Sequence, residues 1–274
     1  MISRDVARNT GECNLNSIVY RGIPHETFYE NLKEVRNWHS GEIILSTWDD
    51  IEINNDIPPM LDCIVRSKDP GEDLDTGNPS LRFASRQAIA AKAGVDKATG
   101  EKVLLSRTDI RHRESLFNKI EINESQSSYK VFSAPLVVGS IMSIDPDSGF
   151  DAPRTRFFRI CDWFQYGYRF DLEKFTDVQK EIIETRHSGC CLEQLWFVCC
   201  FNKQRRMNLN PNCLEDHQNV FWGIVAENCK IINSQGFNTG KWSRKTNLQE
   251  YISEEKYNQK LKQIKAEDER FFIF

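Results

Sequence analysis

The chain has 274 residues, enough for one large domain or two small ones, and 39% hydrophobic with 28% charged residues marks an ordinary soluble globule. Its 40 Asp and Glu outnumber 36 Lys and Arg, and the net charge of -4 excludes general nucleic-acid binding while leaving room for a local basic pocket. Nine cysteines, an odd count without C-x-x-C spacing, point to reduced thiols in a cytosolic protein, not to a disulfide framework or a zinc site.

The first ten residues hold no apolar run of the kind a secretory leader carries. No later stretch approaches the roughly 18–20 continuous apolar residues of a membrane span, so any membrane contact is expected to be peripheral. Ser17–Tyr20 (S-I-V-Y) predicts a strand, closed by Arg21-Gly22-Ile23-Pro24. Thr27–Trp38 predicts a helix with Phe28, Leu32, Val35 and Trp38 on one face. Glu42–Thr47 and Leu61–Val65 predict the second and third strands, ending in Trp48-Asp49-Asp50 and Arg66-Ser67-Lys68-Asp69-Pro70. Gly71–Pro79 is a polar loop, and Pro79 suits the first turn of a helix running to about Ala93 with Gly94 as its cap.

Next comes Glu101–Arg111, E-K-V-L-L-S-R-T-D-I-R, an apolar strand ending in a knot of charge. In an extended backbone Arg107, Asp109 and Arg111 would point to one side. The strand edge of an open α/β sheet is where ligands bind. An aspartate between two arginines there reads either as a phosphate site, with or without a metal, or as a surface turn with a local ion pair. The β-α-β-β-α-β order predicts a parallel α/β sheet. The first strand is followed by no G-x-G-x-x-G, and no G-x-x-x-x-G-K-[ST] is present, which argues against a dinucleotide-binding dehydrogenase and a P-loop kinase.

Beyond Arg113 the pattern changes. Val131–Ser143 alternates short apolar runs with Pro135 and Gly139, and Phe157–Phe164 resumes with R-I-C-D-W-F. Asp171–Phe175, Asp177–Arg186 and Leu192–Phe201 predict helices, Lys203–Val220 is polar and Asn-rich, and Ser253–Arg270 is a charged helix before F-F-I-F. Cys190, Cys191, Leu195 and Cys199 fall at helical spacing and read as small core residues. His112 and His187 read as surface or loop residues. Lys241–Lys245 (K-W-S-R-K) reads as a solvated loop, a diphosphate cover or a contact for anionic lipid head groups.

Several short motifs occur in order: S-T-W at Ser46–Trp48, R-Q at Arg86-Gln87, S-R-T-D at Ser106–Asp109, C-D-W-F-Q-Y-G at Cys161–Gly167 and L-E-Q at Leu192–Gln194. Together, over roughly residues 17–200, they resemble the WavE family of lipopolysaccharide-synthesis glycosyltransferases. The resemblance implies a GT-A-like (Rossmann-like) α/β fold and a glycosyltransferase that moves a sugar from a nucleotide-sugar donor to a glycan or glycolipid acceptor. It implies a cytoplasmic protein, in peripheral contact with the inner face of the membrane. On this reading residues 1–274 form one domain: about 17–113 a donor half, about 114–252 an acceptor half, and 253–274 a helical tail. A more distant similarity to GT-A enzymes places Asp109 at the last position of a D-x-D motif, which implies Mg2+ or Mn2+ at Asp109. Arg107 stands where the first aspartate would be, so metal dependence stays open and the arginine itself can neutralise diphosphate.

The donor set is then Arg21, Arg86, Arg107, Asp109 and Arg111 around the diphosphate, whose leaving-group charge needs arginine or a divalent cation, with Gly22 permitting close backbone approach and Asp49 and Asp69 accepting hydrogen bonds from ribose or base. Arg82 and Arg86, four apart, are predicted on one helical face. Trp48 either stacks on a base or covers the core, and Asp69 either shapes a turn or contacts the base. Asp162 and Glu193 are rival candidates for the catalytic base; the first also reads as a helix cap and the second as a first-turn carboxylate. The competing readings are a non-catalytic scaffold of a polysaccharide-synthesis complex and, less well supported, a nucleotidyltransferase, for which R-G-I-P is a poor phosphate loop.

Overall fold

The structure, a computed structural model, describes residues 16–73, 75, 81–112, 127–139, 158, 160, 163–185, 190–213, 217–231, 258, 259 and 262. Four parallel strands come first: β1 (Asn16–Arg21), β2 (Glu42–Trp48), β3 (Cys63–Ser67) and β4 (Lys102–Arg107). Helix α1 (Phe28–Arg36) links β1 to β2, and α2 (Ala84–Lys97) links β3 to β4. Then follow β5 (Leu136–Val138), β6 (Phe164–Tyr168), α3 (Arg169–Thr176), α4 (Gln179–Thr185), α5 (Leu192–Arg205), α6 (Gln218–Asn228) and β7 (Cys229–Ile231). They form one seven-stranded sheet in the order β3-β2-β1-β4-β6-β5-β7, with β6 antiparallel to both neighbours. This is the α/β architecture expected, a mostly parallel sheet with helices on both faces.

The near-continuous apolar runs of β1, β2 and β4 follow from burial on both sides. Ile18, Tyr20, Ile43 and Leu45 pack with Phe28, Leu32 and Val35 of α1. Alternate residues Val19, Ile44, Val103 and Leu105 pack on the other face with Ala88, Ala91 and Val95 of α2 and with α3 and α5. Each such fully buried aliphatic side chain contributes roughly 1.5–3 kcal/mol. Trp48 is 2% exposed and covers the core, the second of its two readings.

Several boundaries differ from expectation. Helix α2 starts at Ala84 and continues through Gly94 to Lys97, so Gly94 is no cap. A Cβ at Gly94 would lie 2.4 Å from Val19 Cγ1 and 3.0 Å from Ser46 Cβ, so its glycine allows the helix to press on the sheet. Arg82 precedes the helix and shares no helical face with Arg86. Cys190 and Cys191 lie before α5, where the Cys191 backbone N–H donates to Gln194 Oε1, while Cys199 is buried within it. Asp177 ends α3 instead of opening the next helix. The Asn-rich segment hid the start of α6, whose apolar side buries Phe221, Ile224 and Val225. The tail helix is described only at 258, 259 and 262, which are helical. Among the described residues no helix is long and apolar enough to cross a membrane.

Candidate functional site

The strand order reverses at β1. From β1 the chain moves outward to β2 and β3, then returns to place β4 on the other side, and the crevice at the carboxyl ends of β1 and β4 is where such sheets bind ligands. The last register pair there is Arg21 with Arg107, and Ser46 lies beside Arg21 on β2. Register partners on adjacent parallel strands project to the same face and stand about 4.8 Å apart. Val19 and Leu105, two residues earlier, belong to the core under α2 and α5, so both arginines project on that side.

The two are held differently. Arg21 is 4% exposed, with its guanidinium 5.8 Å from the ring centroid of Trp196 on α5. Ser46 Oγ and Trp196 Nε1, which flank it, are buried and make no hydrogen bond among the described residues. Arg107 forms a two-pronged pair with Asp109: Nε donates to Oδ1 at 2.9 Å and Nη2 to Oδ2 at 2.6 Å. The ion-pair reading of Asp109 is therefore realised, at the carboxyl end of β4. After Arg107 the chain turns, with the Ile110 N–H donating to the Arg107 carbonyl, so the predicted extended alternation ends. Arg111 pairs instead with Glu34 of α1. It lines a separate cleft of about 320 Å³ with Glu26, Thr27 and Thr108.

Four contacts, three of them buried, fix that turn. Thr108 Oγ1 donates to the Ile23 carbonyl at 2.6 Å, which ties it to the β1 turn. Asn31 Nδ2 donates to the Ile110 carbonyl at 2.8 Å, and the His112 N–H donates to Asn31 Oδ1. His112 Nε2 lies 2.7 Å from Ser106 Oγ. His112 is thus buried, contrary to its surface reading, with Asn31 on its backbone N–H and Ser106 on its Nε2 at the sheet edge. Burial lowers its pKa to about 3. Gly22 takes φ +104°, where a side chain is strained, and the space its Cβ would fill holds no atom within 4 Å.

A second cluster lies at the β3 end. Arg86, in the first turn of α2, donates from Nε to Asp69 Oδ1 at 2.7 Å and from Nη2 to Asp69 Oδ2. This arginine holds the Asp69 carboxyl below the usual range. Asp69 also accepts from the Gly71 N–H at 2.9 Å, so both its turn role and its pairing are local. Arg82 donates to Glu72 at 2.7 Å. Asp49 is exposed just past β2, and Arg66 donates to the Trp48 and Ile51 carbonyls at 3.0 Å, clamping that turn. Arg66, Asn31 and Asp73 were not singled out from sequence, since their partners are 15–81 residues away or across a loop. From β3 to β4 is three strand steps, about 14 Å.

Glu193 sits half-buried in the first turn of α5, one turn before Trp196. Asp162, His187 and Lys241–Lys245 lie outside the described residues. For a divalent ion the described residues offer Asp109, whose two oxygens both bond Arg107, and they do not fit such an ion as they stand. Among the described residues no group of three or more His, Cys, Asp or Glu is arranged to hold a metal.

A family model described as WavE lipopolysaccharide synthesis matches residues 19–186, more than half of the chain. Among solved structures the chain is similar to the apo-form glycosyltransferase GlyE of Streptococcus pneumoniae TIGR4, at 14% identity and a TM-score of 0.39. That match covers 69% of this chain and 43% of the other, so it spans less than half of that protein's length. No curated protein matches the chain.

Proposed function

This chain belongs to the WavE lipopolysaccharide-synthesis family, and from that premise we propose that it is a glycosyltransferase drawing on a nucleotide-diphospho-sugar to extend a cell-surface glycan. The observation that carries the reading is the register pair Arg21–Arg107 at the switch point of the sheet. Two guanidiniums on one face match the charge of a diphosphate and strengthen their hold as the leaving group gains charge. Asp109 keeps Arg107 aimed. The acceptor hydroxyl oxygen forms the new bond to the anomeric carbon. The bond from that carbon to the diphosphate breaks, and its electron pair leaves with the diphosphate. The hydroxyl proton goes to a carboxylate, a role we assign to Glu193 among the described residues, with Asp162 its rival.

Arg107 occupies both carboxylate oxygens of Asp109, so arginine carries the leaving-group charge here and no step passes through Mg2+ or Mn2+. Arg107 already places one positive charge there. The acceptor and the contact with the inner membrane face follow from the family reading and belong to this proposal, as does the single-domain organisation of residues 1–274.

The test is calorimetry with a panel of nucleoside diphosphates, with and without Mn2+, followed by slow hydrolysis of nucleotide sugars. Wild-type protein is expected to bind at least one nucleoside diphosphate. Arg107→Ala should weaken that binding roughly 10- to 100-fold, the worth of a hydrogen bond to a charged group. Glu193→Gln should leave binding intact and slow hydrolysis or transfer. Absence of heat with every nucleotide would refute the reading and favour a scaffold.

A further inference from the structure

We propose that the β3 end of the cradle carries a stacking platform, centred on Phe83, for the nucleobase of the donor. This rests on the diphosphate reading above and names a contact that it leaves open. Phe83 is the residue immediately before α2, on the same edge and side of the sheet as Arg21 and Arg107. Its ring is 42% exposed, although aromatic side chains of this size are usually covered in a soluble protein. The guanidiniums of Arg82 and Arg86 lie 5.5 Å and 5.7 Å from its centroid.

The exposure is built in. Asp73, 8% exposed, accepts from Ser85 Oγ at 2.6 Å and from the Ser85 N–H at 2.9 Å. The Asp73 N–H donates to the Arg82 carbonyl at 2.9 Å. The backbone is therefore pinned on both sides of Phe83. Asp69 and Glu72 pin the two arginines in turn. The result is an exposed ring held in place, with two guanidiniums close beside it. Such a surface takes a flat π system, because every base presents a π face to an aromatic ring or a guanidinium. A sugar or a phosphate uses the ring poorly.

The experiment compares Phe83→Ala and Phe83→Trp with wild type, titrated separately with nucleoside diphosphates and with inorganic pyrophosphate. Because Phe83 is exposed, both variants should melt with the wild type. Phe83→Ala is expected to bind the preferred nucleoside diphosphate roughly 5- to 100-fold more weakly, the range of one base–aromatic stack, with pyrophosphate binding unchanged. Phe83→Trp should restore affinity, and its added tryptophan fluorescence should be quenched by the nucleotide and not by pyrophosphate. Wild-type affinity for nucleoside diphosphates in Phe83→Ala overturns the platform and leaves the proposed function standing. Equal weakening for both ligands also overturns it. If wild type binds neither ligand, the diphosphate reading fails first and this inference goes with it.

Discussion

His112 is shut away from solvent, and burial alone lowers its imidazole pKa from 6.5 to about 3. Unfolded, the same side chain titrates near 6.5, so between these values the unfolded chain binds a proton that the folded one does not. A depressed folded pKa on a base gives stability that is complete above about pH 6.5 and is lost as pH falls towards 3. From pH 7 to pH 5 the loss is about 2 kcal/mol. His39 shifts in the same direction, also mainly through burial, and adds to the trend. Asp69 and Asp62, both shifted downwards, act at lower pH and leave this window to the histidines. His112→Gln should therefore lower stability at pH 7, because the Ser106 contact is altered, and should flatten the fall between pH 7 and pH 5. Urea midpoints at the two pH values measure this. An unchanged fall would mean that the imidazole is not what titrates.

At the scale of elements, the contact of α2 with the sheet is set by one missing methyl group. Alanine at position 94 would gain up to about 1 kcal/mol in helix propensity. Its Cβ would meet Val19 Cγ1 at 2.4 Å and Ser46 Cβ at 3.0 Å, both on fully buried strand residues. Overpacking of that kind costs about 1–3 kcal/mol. The steric term wins, so Gly94→Ala should destabilise by about 1–2 kcal/mol, read as a lower urea midpoint with an unchanged slope. A stabilised variant would show that α2 slides freely. The same helix marks how far sequence carries. Strands β1, β2 and β4 were legible because both of their faces are buried, the partly exposed edge strand β3 through its short apolar run, and α1 because its apolar face repeats at helical spacing. The ends of α2 were not, because Gly94 reads as a stop until the strand beneath it is known. Helix α6 was obscured by its polar, Asn-rich approach. In the site, Arg107 with Asp109 was legible, being two residues apart. Arg21 beside Arg107 was not, since that neighbourhood exists only once β4 pairs with β1. Asp69 with Arg86 needed the crossover of α2 in the same way.

Over the whole molecule the charge balance opposes the site. The chain carries a net charge of -4, and its proposed ligand is an anion. At low salt the field of the net charge reaches the approaching ligand and repels it, whereas beyond a Debye length, about 10 Å at 0.1 M salt, that field is largely screened. Within the crevice it meets Arg21, 4% exposed, and Arg107, whose side chain is 36% exposed. Buried charges are screened far less than exposed ones. Added salt should therefore relieve the long-range repulsion and weaken the Arg107 contact, while leaving Arg21 nearly untouched. These effects act on different rates. Stopped-flow binding of a nucleoside diphosphate should show an association rate that stays flat or rises between 50 and 300 mM NaCl, values chosen as roughly 14 Å to 6 Å of screening length. The dissociation rate should rise modestly over the same range, and Arg107→Ala should abolish most of that rise. A protein that draws its ligand in with an extended basic surface does the opposite, with association slowing steeply as salt increases. Such slowing here would mean that the ligand is steered by a positive face other than the two arginines, and that the crevice at β1 and β4 is not the only electrostatic attraction it meets.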